Sequence, residues 1–240
     1  MKKVIFVTLA LALAATTAFA QEIKAYGSAR LGYWYEMPNE DYAGGESDFD
    51  LNYGIQSNSR FGVNFKKDDL TAKVEYGTGV NLRLLWAKMN MGSFDLLIGQ
   101  DYDGLNEYAA QVYSADNGLI GYGAVDGSRN PQVKFLFENG LYFALIQPKL
   151  TSPNNFSWSE TDVLIPKLNV GYKMKMDNLS IHPTFMLQQF SYSKDDNPTL
   201  GDDASVLSYL LAVTGQIDMD PMMLKAHLNF GSNTGNMGIK

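Results

Sequence analysis

A two-residue alternation over residues 22–36, EIKAYGSARLGYWYE, constrains this chain more than any other feature. Ile23, Ala25, Gly27, Ala29, Leu31, Tyr33 and Tyr35 fall on one side of an extended strand, and Lys24, Tyr26, Ser28, Arg30, Gly32 and Trp34 on the other. Successive side chains of a strand point to opposite faces, so the pattern specifies a ribbon with one apolar and one polar surface. It is longer than the usual soluble strand of about five or six residues and suits one that crosses a bilayer. A Lys or Arg at the lipid midplane costs about 2 to 4 kcal/mol. Arg30 therefore points to water, and its alternation partners follow it.

The pattern recurs along the chain. Phe61, Val63 and Phe65 oppose Arg60, Asn64 and Lys66; Leu70, Ala72, Val74 and Tyr76 oppose Thr71, Lys73 and Glu75; Leu82, Leu84 and Trp86 oppose Asn81 and Arg83. Val133, Phe135 and Phe137 oppose Gln132, Lys134 and Glu138, while Leu168, Val170, Tyr172 and Met174 oppose Asn169, Lys173 and Lys175. Leu207, Tyr209, Leu211 and Val213 oppose Ser208 and Thr214, and Leu224, Ala226, Leu228 and Phe230 oppose Lys225, His227 and Asn229. Residues 141–150 are ambiguous because their polar face is weak. Nearly every cation shares the face that an aqueous lumen would occupy.

Connections alternate between short ones (67–69, 91–93, 138–140, 176–178, 218–221) and long polar ones (37–50, 101–130, 151–162, 194–203), with a tight exception at 77–79. Short turns at one end and long loops at the other are the outer-membrane barrel pattern. The expected fold is all-β, an antiparallel transmembrane β-barrel with about eleven strands in this chain. The even strand numbers of single-chain barrels make it the N-terminal part of a larger one, with a complete ten- or twelve-stranded barrel as the alternative.

Residues 1–20, MKKVIFVTLALALAATTAFA, have the two lysines, short apolar run and Ala-Phe-Ala ending of a secretory signal peptide. The expected domains are that leader and a barrel over 21–240, incomplete at its C-terminus. Without Lys2 and Lys3 the chain keeps 17 basic residues against 26 acidic ones, which argues against a nucleic-acid partner. Cysteine is absent, so an exported chain has no disulfide framework here. Thirty aromatic residues and 22 glycines suit strands rather than a helical bundle.

The words GSFDLLIGQDYDGLNEY and SRNPQVKF resemble the general porins of Gram-negative outer membranes, as do AYGSARLGYWYE, NSRFGVNFK and NLRLLWAKMNMGSFDLLIGQ in the same order. The resemblance covers most of residues 22–150 and thins out afterwards. It implies a 16-stranded barrel in the complete protein, a homotrimer in the outer membrane, and a loop over about 101–130 that folds inward and narrows the channel. Arginines on the wall then face acids on that loop. Arg60 in SRFG and Arg129 in SRNPQVKF match wall positions, and Arg83 lies nearby in the hairpin. This chain departs from the pattern at Gln100, where the family often has arginine, and in lacking a Pro-Glu-Phe-Gly type of word at the loop tip.

The candidate pore-lining basic wall is therefore Arg30, Arg60, Arg83, Arg129 and Lys134, and the candidate constriction acids are Asp101, Asp103, Glu107, Asp116 and Asp126. Guanidinium groups stay charged and planar, and a low-dielectric barrel focuses their field on the lumen. The alternatives are ordinary wall residues for the arginines and solvated loop charges for the acids. Tyr33, Tyr35, Tyr76 and Trp86, with Trp34, form a candidate aromatic girdle at the membrane interface. Acidic residues Glu36, Glu40, Asp41, Glu46, Asp48 and Asp50 read as a solvated outer loop, with cation bridges to lipopolysaccharide or a neighbouring subunit as the second reading. His182 and His227 read as wall histidines, since neither stands in a nucleophile or metal motif. No catalytic residue, metal or cofactor is expected. The expected function is passive diffusion of small hydrophilic solutes and ions. A non-conducting structural or adhesive barrel, or a barrel hydrolase, remains open.

Overall fold

In a computed structural model, residues 22–36, 50–56, 58–107, 125–148, 161–192 and 204–237 are described. They form a twelve-stranded antiparallel sheet and two two-stranded ones. The strands are β1 (Glu22–Ser28), β2 (Leu31–Glu36), β3 (Asp50–Ile55), β4 (Arg60–Lys67), β5 (Leu70–Gly77), β6 (Leu82–Asn90), β7 (Asp95–Tyr102), β8 (Asn106–Glu107), β9 (Val125–Asp126), β10 (Arg129–Leu136), β11 (Leu141–Ile146), β12 (Thr161–Tyr172), β13 (Met174–Met176), β14 (Leu179–Tyr192), β15 (Ala204–Met219) and β16 (Met222–Ser232). A 3-10 turn at Thr234–Met237 follows.

Strand β1 continues into β2, and β3 into β4, as one hairpin: β1 pairs with β4, β2 with β3, and between them Gln56 donates its N–H to the Arg30 carbonyl at 2.8 Å. Two residues between Ser28 and Leu31 face four between Ile55 and Arg60, so the register slips there. β12 and β13 likewise share β14 as partner. Counting each joined pair once, and setting aside the short β8–β9 pair, eleven strands cross the sheet, the number expected from alternation. Among the described residues β1 and β16 are its two edges, and the sheet is not closed on itself.

The short connections close tightly because their residues suit the geometry. Asp68 and Asp177 take φ of 49° and 40°, which Asp tolerates better than most residues. Gly140 takes φ of 92°, and a Cβ there would stand 2.3 Å from the Lys173 carbonyl oxygen, so no other residue fits without displacing backbone. Residues 141–146, ambiguous in sequence, alternate in space: Tyr142, Ala144 and Ile146 are buried, while Leu141, Phe143 and Leu145 take the other face. In β12 the ladder slips between Val163 and Leu168, beside Pro166, which has no N–H to give.

The two faces differ in kind. One is apolar and exposed: Tyr33 and Tyr53 stack at 5.9 Å, and Phe61, Ile98, Leu211, Leu228 and Phe230 stand open with no layer over them. A soluble protein rarely leaves so large an apolar surface bare. The opposite, inner face carries the cations and is partly covered by the chain that leaves β7. Leu105 from that chain packs against Met186, Leu210 and Ala212 of β14 and β15 and against Met237. Here lies the apolar cluster among the described residues.

Candidate functional site

The inner wall carries its charges in two groups. The first surrounds Glu75 on β5. Arg83 Nε donates to Glu75 Oε1 at 2.9 Å, the Tyr26 hydroxyl donates to Oε2 at 2.8 Å, and Arg60 Nε and Lys73 Nζ stand at 3.8 and 3.9 Å. Arg83 Nη2 also donates to the Tyr102 hydroxyl at 2.8 Å, and the Arg129 guanidinium lies 5.7 Å from the Tyr102 ring centroid. Arg60 feels the charges of both Arg83 and Arg129. Strands β4 and β6 thus bring Arg60 and Arg83 onto one carboxylate, with Arg129 of β10 against the Tyr102 ring that Arg83 also reaches.

A bulge makes this possible. Between Glu75 and Tyr76 the β5–β6 register shifts, pairing Glu75 with Leu84 and Tyr76 with Leu82, so Arg83 is the extra residue. Bulges re-aim a side chain, and here Arg83 turns onto Glu75. Gln100 holds the distortion: its Nε2 donates to the carbonyls of Leu82 and Arg83, each at 3.0 Å. At this position the chain departs from the general porin words, and its amide serves the backbone. The same bulge corrects the reading of Trp86. Alternation counted through Arg83 puts Leu84 and Trp86 with Leu82 on the lipid side. The extra residue inverts the phase, so Trp86 pairs with Lys73 on the inner face and does not belong to an outer girdle. Tyr33 and Tyr35 lie exposed on the outer face, and Tyr76 shares it through its pairing with Phe61.

The second group ties the inward segment to the wall. β7 runs to Tyr102 and β10 begins at Arg129, so Asp101 is a strand residue and the connection starts at Asp103, two residues later than expected. Lys134 Nζ donates to Asp101 Oδ2 at 3.0 Å. Lys167 of β12 pairs with Asp103, both side chains fully buried, and Asn130 donates to the other Asp103 oxygen at 3.0 Å. Burial raises the Asp103 carboxyl above its ordinary range, and the Lys167 ammonium and the Asn130 amide pull it down only in part. Gly104 lies flat on the wall, where a Cβ would come within 2.0 Å of Asn169 Oδ1 and 2.5 Å of the Tyr142 hydroxyl. β8 pairs with β9 just beyond, closing the neck of the connection.

Asp101 and Asp103 are thus anchors rather than acids standing across a gap from the arginines, held by Lys134 and Lys167 respectively. The reason is local: both lie where the chain bends off β7 onto β10 and β12, within reach of the lysines there. Glu107 and Asp126 lie in β8 and β9; their side chains, and all of Asp116, fall outside the described residues. Arg30 sits between β1 and β2, its N–H donating to Ser59 Oγ at 2.9 Å. Glu75, Lys167 and Leu105 are site residues that the sequence pattern did not single out. Carrying the alternation of 168–175 one step back would have put Lys167 on the inner face.

Neither a protein-family model nor a curated protein matches the sequence. Among solved structures, the outer membrane channel DcaP of Acinetobacter baumannii superposes with a TM-score of 0.63 at 18% identity, over 88% of this chain and 64% of that one. Outer-membrane expressed OmpT of Vibrio cholerae superposes with a TM-score of 0.51 at 16% identity, over 87% of this chain and 63% of that one. The fold is that of an outer-membrane β-barrel. At such identities the likeness is one of fold. The barrel portion here spans a little under two thirds of either relative's length.

Proposed function

We propose that this chain builds the wall of an outer-membrane pore through which small hydrophilic solutes diffuse passively. Its export by the residue 1–20 leader, general porin membership and homotrimeric assembly belong to the same proposal. The observation that carries it is the pairing of opposite environments on one sheet: an exposed apolar outer face, and an inner face bearing Arg60 and Arg83 on Glu75 with Arg129 against Tyr102. A charged wall in a low-dielectric surround orders water and strips hydration from apolar solutes more than from polar ones. DcaP, a similar fold, is an outer membrane channel, which supports the reading.

The test is ion selectivity in planar bilayers. Replacing Arg60 and Arg129 together by Ala removes two positive charges from the wall and shifts the reversal potential in a salt gradient towards cation preference. An unchanged reversal potential removes these arginines from the conduction path. A wild-type protein that inserts without conducting establishes a closed barrel, which the packing of Leu105 against Met237 would favour.

A further inference from the structure

The chain that follows β16 folds back over the inner face of β15. Asn233 turns with φ of 50°, which Asn tolerates, and donates its side-chain amide to the Leu207 carbonyl at 2.8 Å. Asn236 of the 3-10 turn then donates its amide to Ser208 Oγ at 3.1 Å, with both residues buried. Met237, fully buried, meets Leu105 of the neck, Met186, Leu210 and Ala212 in one apolar cluster. Gly231, opposite Leu210, makes room for this: a Cβ there would stand 2.8 Å from Thr234 Cγ2 and 2.2 Å from the Tyr209 carbonyl oxygen. Along β15 the inward residues Ser208, Leu210 and Ala212 are therefore shielded, while Leu207, Leu211 and Val213 on the outer face stay bare. Nearer the short turns, Thr214 and Gln216 line a cavity of about 610 Å³, so the cover is local. The neck starts from Tyr102, bonded to Arg83, and ends its described path at β14 and β15 under the turn.

We propose that the turn at Thr234–Met237 is a second constriction element, which with the neck closes the β14–β15 side of the lumen and confines solutes to the side of Arg60 and Arg83. Asn236 and Met237 are its positioning residues: the amide fixes the turn to the wall, and the thioether side chain clamps Leu105. A Met side chain fills the uneven gap between two loops and a sheet well, because it is unbranched and flexible. The inference rests on the pore reading, but the seat of the turn on β15 is measurable without conduction.

The chain has no cysteine, so introduced thiols read the turn directly. Leu210→Cys, buried beneath it, and Lys175→Cys, exposed in the cavity lining, are each labelled with a water-soluble maleimide in detergent-solubilised protein. Adding Asn236→Ala and Met237→Ala together speeds labelling at 210 by about tenfold or more, the change in open population that losing one buried apolar side chain brings, and leaves the rate at 175 unchanged. An unchanged rate at 210 overturns the proposal. A rate that rises equally at both positions marks a sheet opened by the changes, and the decision then falls to a pair that disrupts less. Leu105→Cys with Met237→Cys forms a disulfide within the chain on oxidation, whereas Leu105→Cys with Met223→Cys, exposed at the short-turn end of β16, does not. No cross-link between 105 and 237 overturns the seat of the turn. In planar bilayers the Asn236→Ala, Met237→Ala protein conducts more per channel than wild type, and equal conductance with faster labelling overturns the constriction role. A cross-link in a protein that never conducts keeps the turn on β15 and sinks the pore reading. Conduction with no cross-link does the reverse.

Discussion

Replacing Lys167 by Met tests what keeps the neck on the wall. The ammonium of Lys167 and the carboxylate of Asp103 are both fully buried, so removing the cation leaves an anion in a dry site with only the Asn130 amide to solvate it. Breaking a buried pair by deleting one partner costs about 3 to 5 kcal/mol. Two escapes exist. Asp103 can take a proton, which from an ordinary carboxylate value costs at pH 7 about 1.4 kcal/mol for each of roughly three pH units, or about 4 kcal/mol. Or the neck can lift off, exposing Leu105 at about 1.5 to 3 kcal/mol and giving up the hydrogen bond to Asn130. The second is no dearer than the first, so a large fraction of molecules expose Leu105 at neutral pH. The chain has no cysteine, which makes Leu105→Cys a clean reporter. At 1% exposure, residue 105 is shielded from a maleimide in the parent, and Lys167→Met speeds its labelling by at least about tenfold, since each 1.4 kcal/mol is a tenfold change in the open population. Adding Asp103→Asn to Lys167→Met removes the stranded charge and restores protection. Labelling of the Lys167→Met protein as slow as the parent's refutes the claim that this pair holds the neck.

The raised Asp103 carboxyl gives a pH dependence of defined sign. Because the folded protein holds that proton more tightly than the unfolded chain, stability contributed by this group is fully present below its ordinary value of 3.8 and falls as pH rises through the raised folded value. Unfolding temperature measured across that acid window should show the fall, and Asp103→Asn should abolish it; an unaltered profile in the variant assigns the titration elsewhere. On the outer face, Leu211 lies mid-strand in β15 between Phe185 and Phe230. Leu211→Arg costs about 2 to 4 kcal/mol if that face meets hydrocarbon. Gln216→Arg on the inner face of the same strand costs within about 0.5 kcal/mol. Reversible folding into phospholipid vesicles measures both, and equal effects would deny that the faces meet different solvents.

Much of the fold was legible because a strand's period of two is rigid. A single Lys or Arg, too costly in lipid, fixes the phase of every residue on its strand. Lys73 did this for β5, and Lys225 for β16. The phase is lost wherever an extra residue enters, and nothing in NLRLLWAK marks one: Arg83 reads equally well as an ordinary inward residue. Its consequence appears three positions later, at Trp86. A second inserted residue would have restored the phase; one does not.

Site geometry was less legible, for a different reason. Sequence places a charge on a face but says nothing of its height along the strand relative to charges brought in by other segments. Asp101 and Asp103 were readable as acids near the turn inward, and Lys134 as a wall cation. That they neutralise one another, with Lys167, depends on β7, β10 and β12 meeting at one level. The outcome alters the electrostatics of the lumen: Asp101 and Asp103 are taken up as anchors by Lys134 and Lys167, and among the described residues Glu75 is the carboxylate that Arg60 and Arg83 approach.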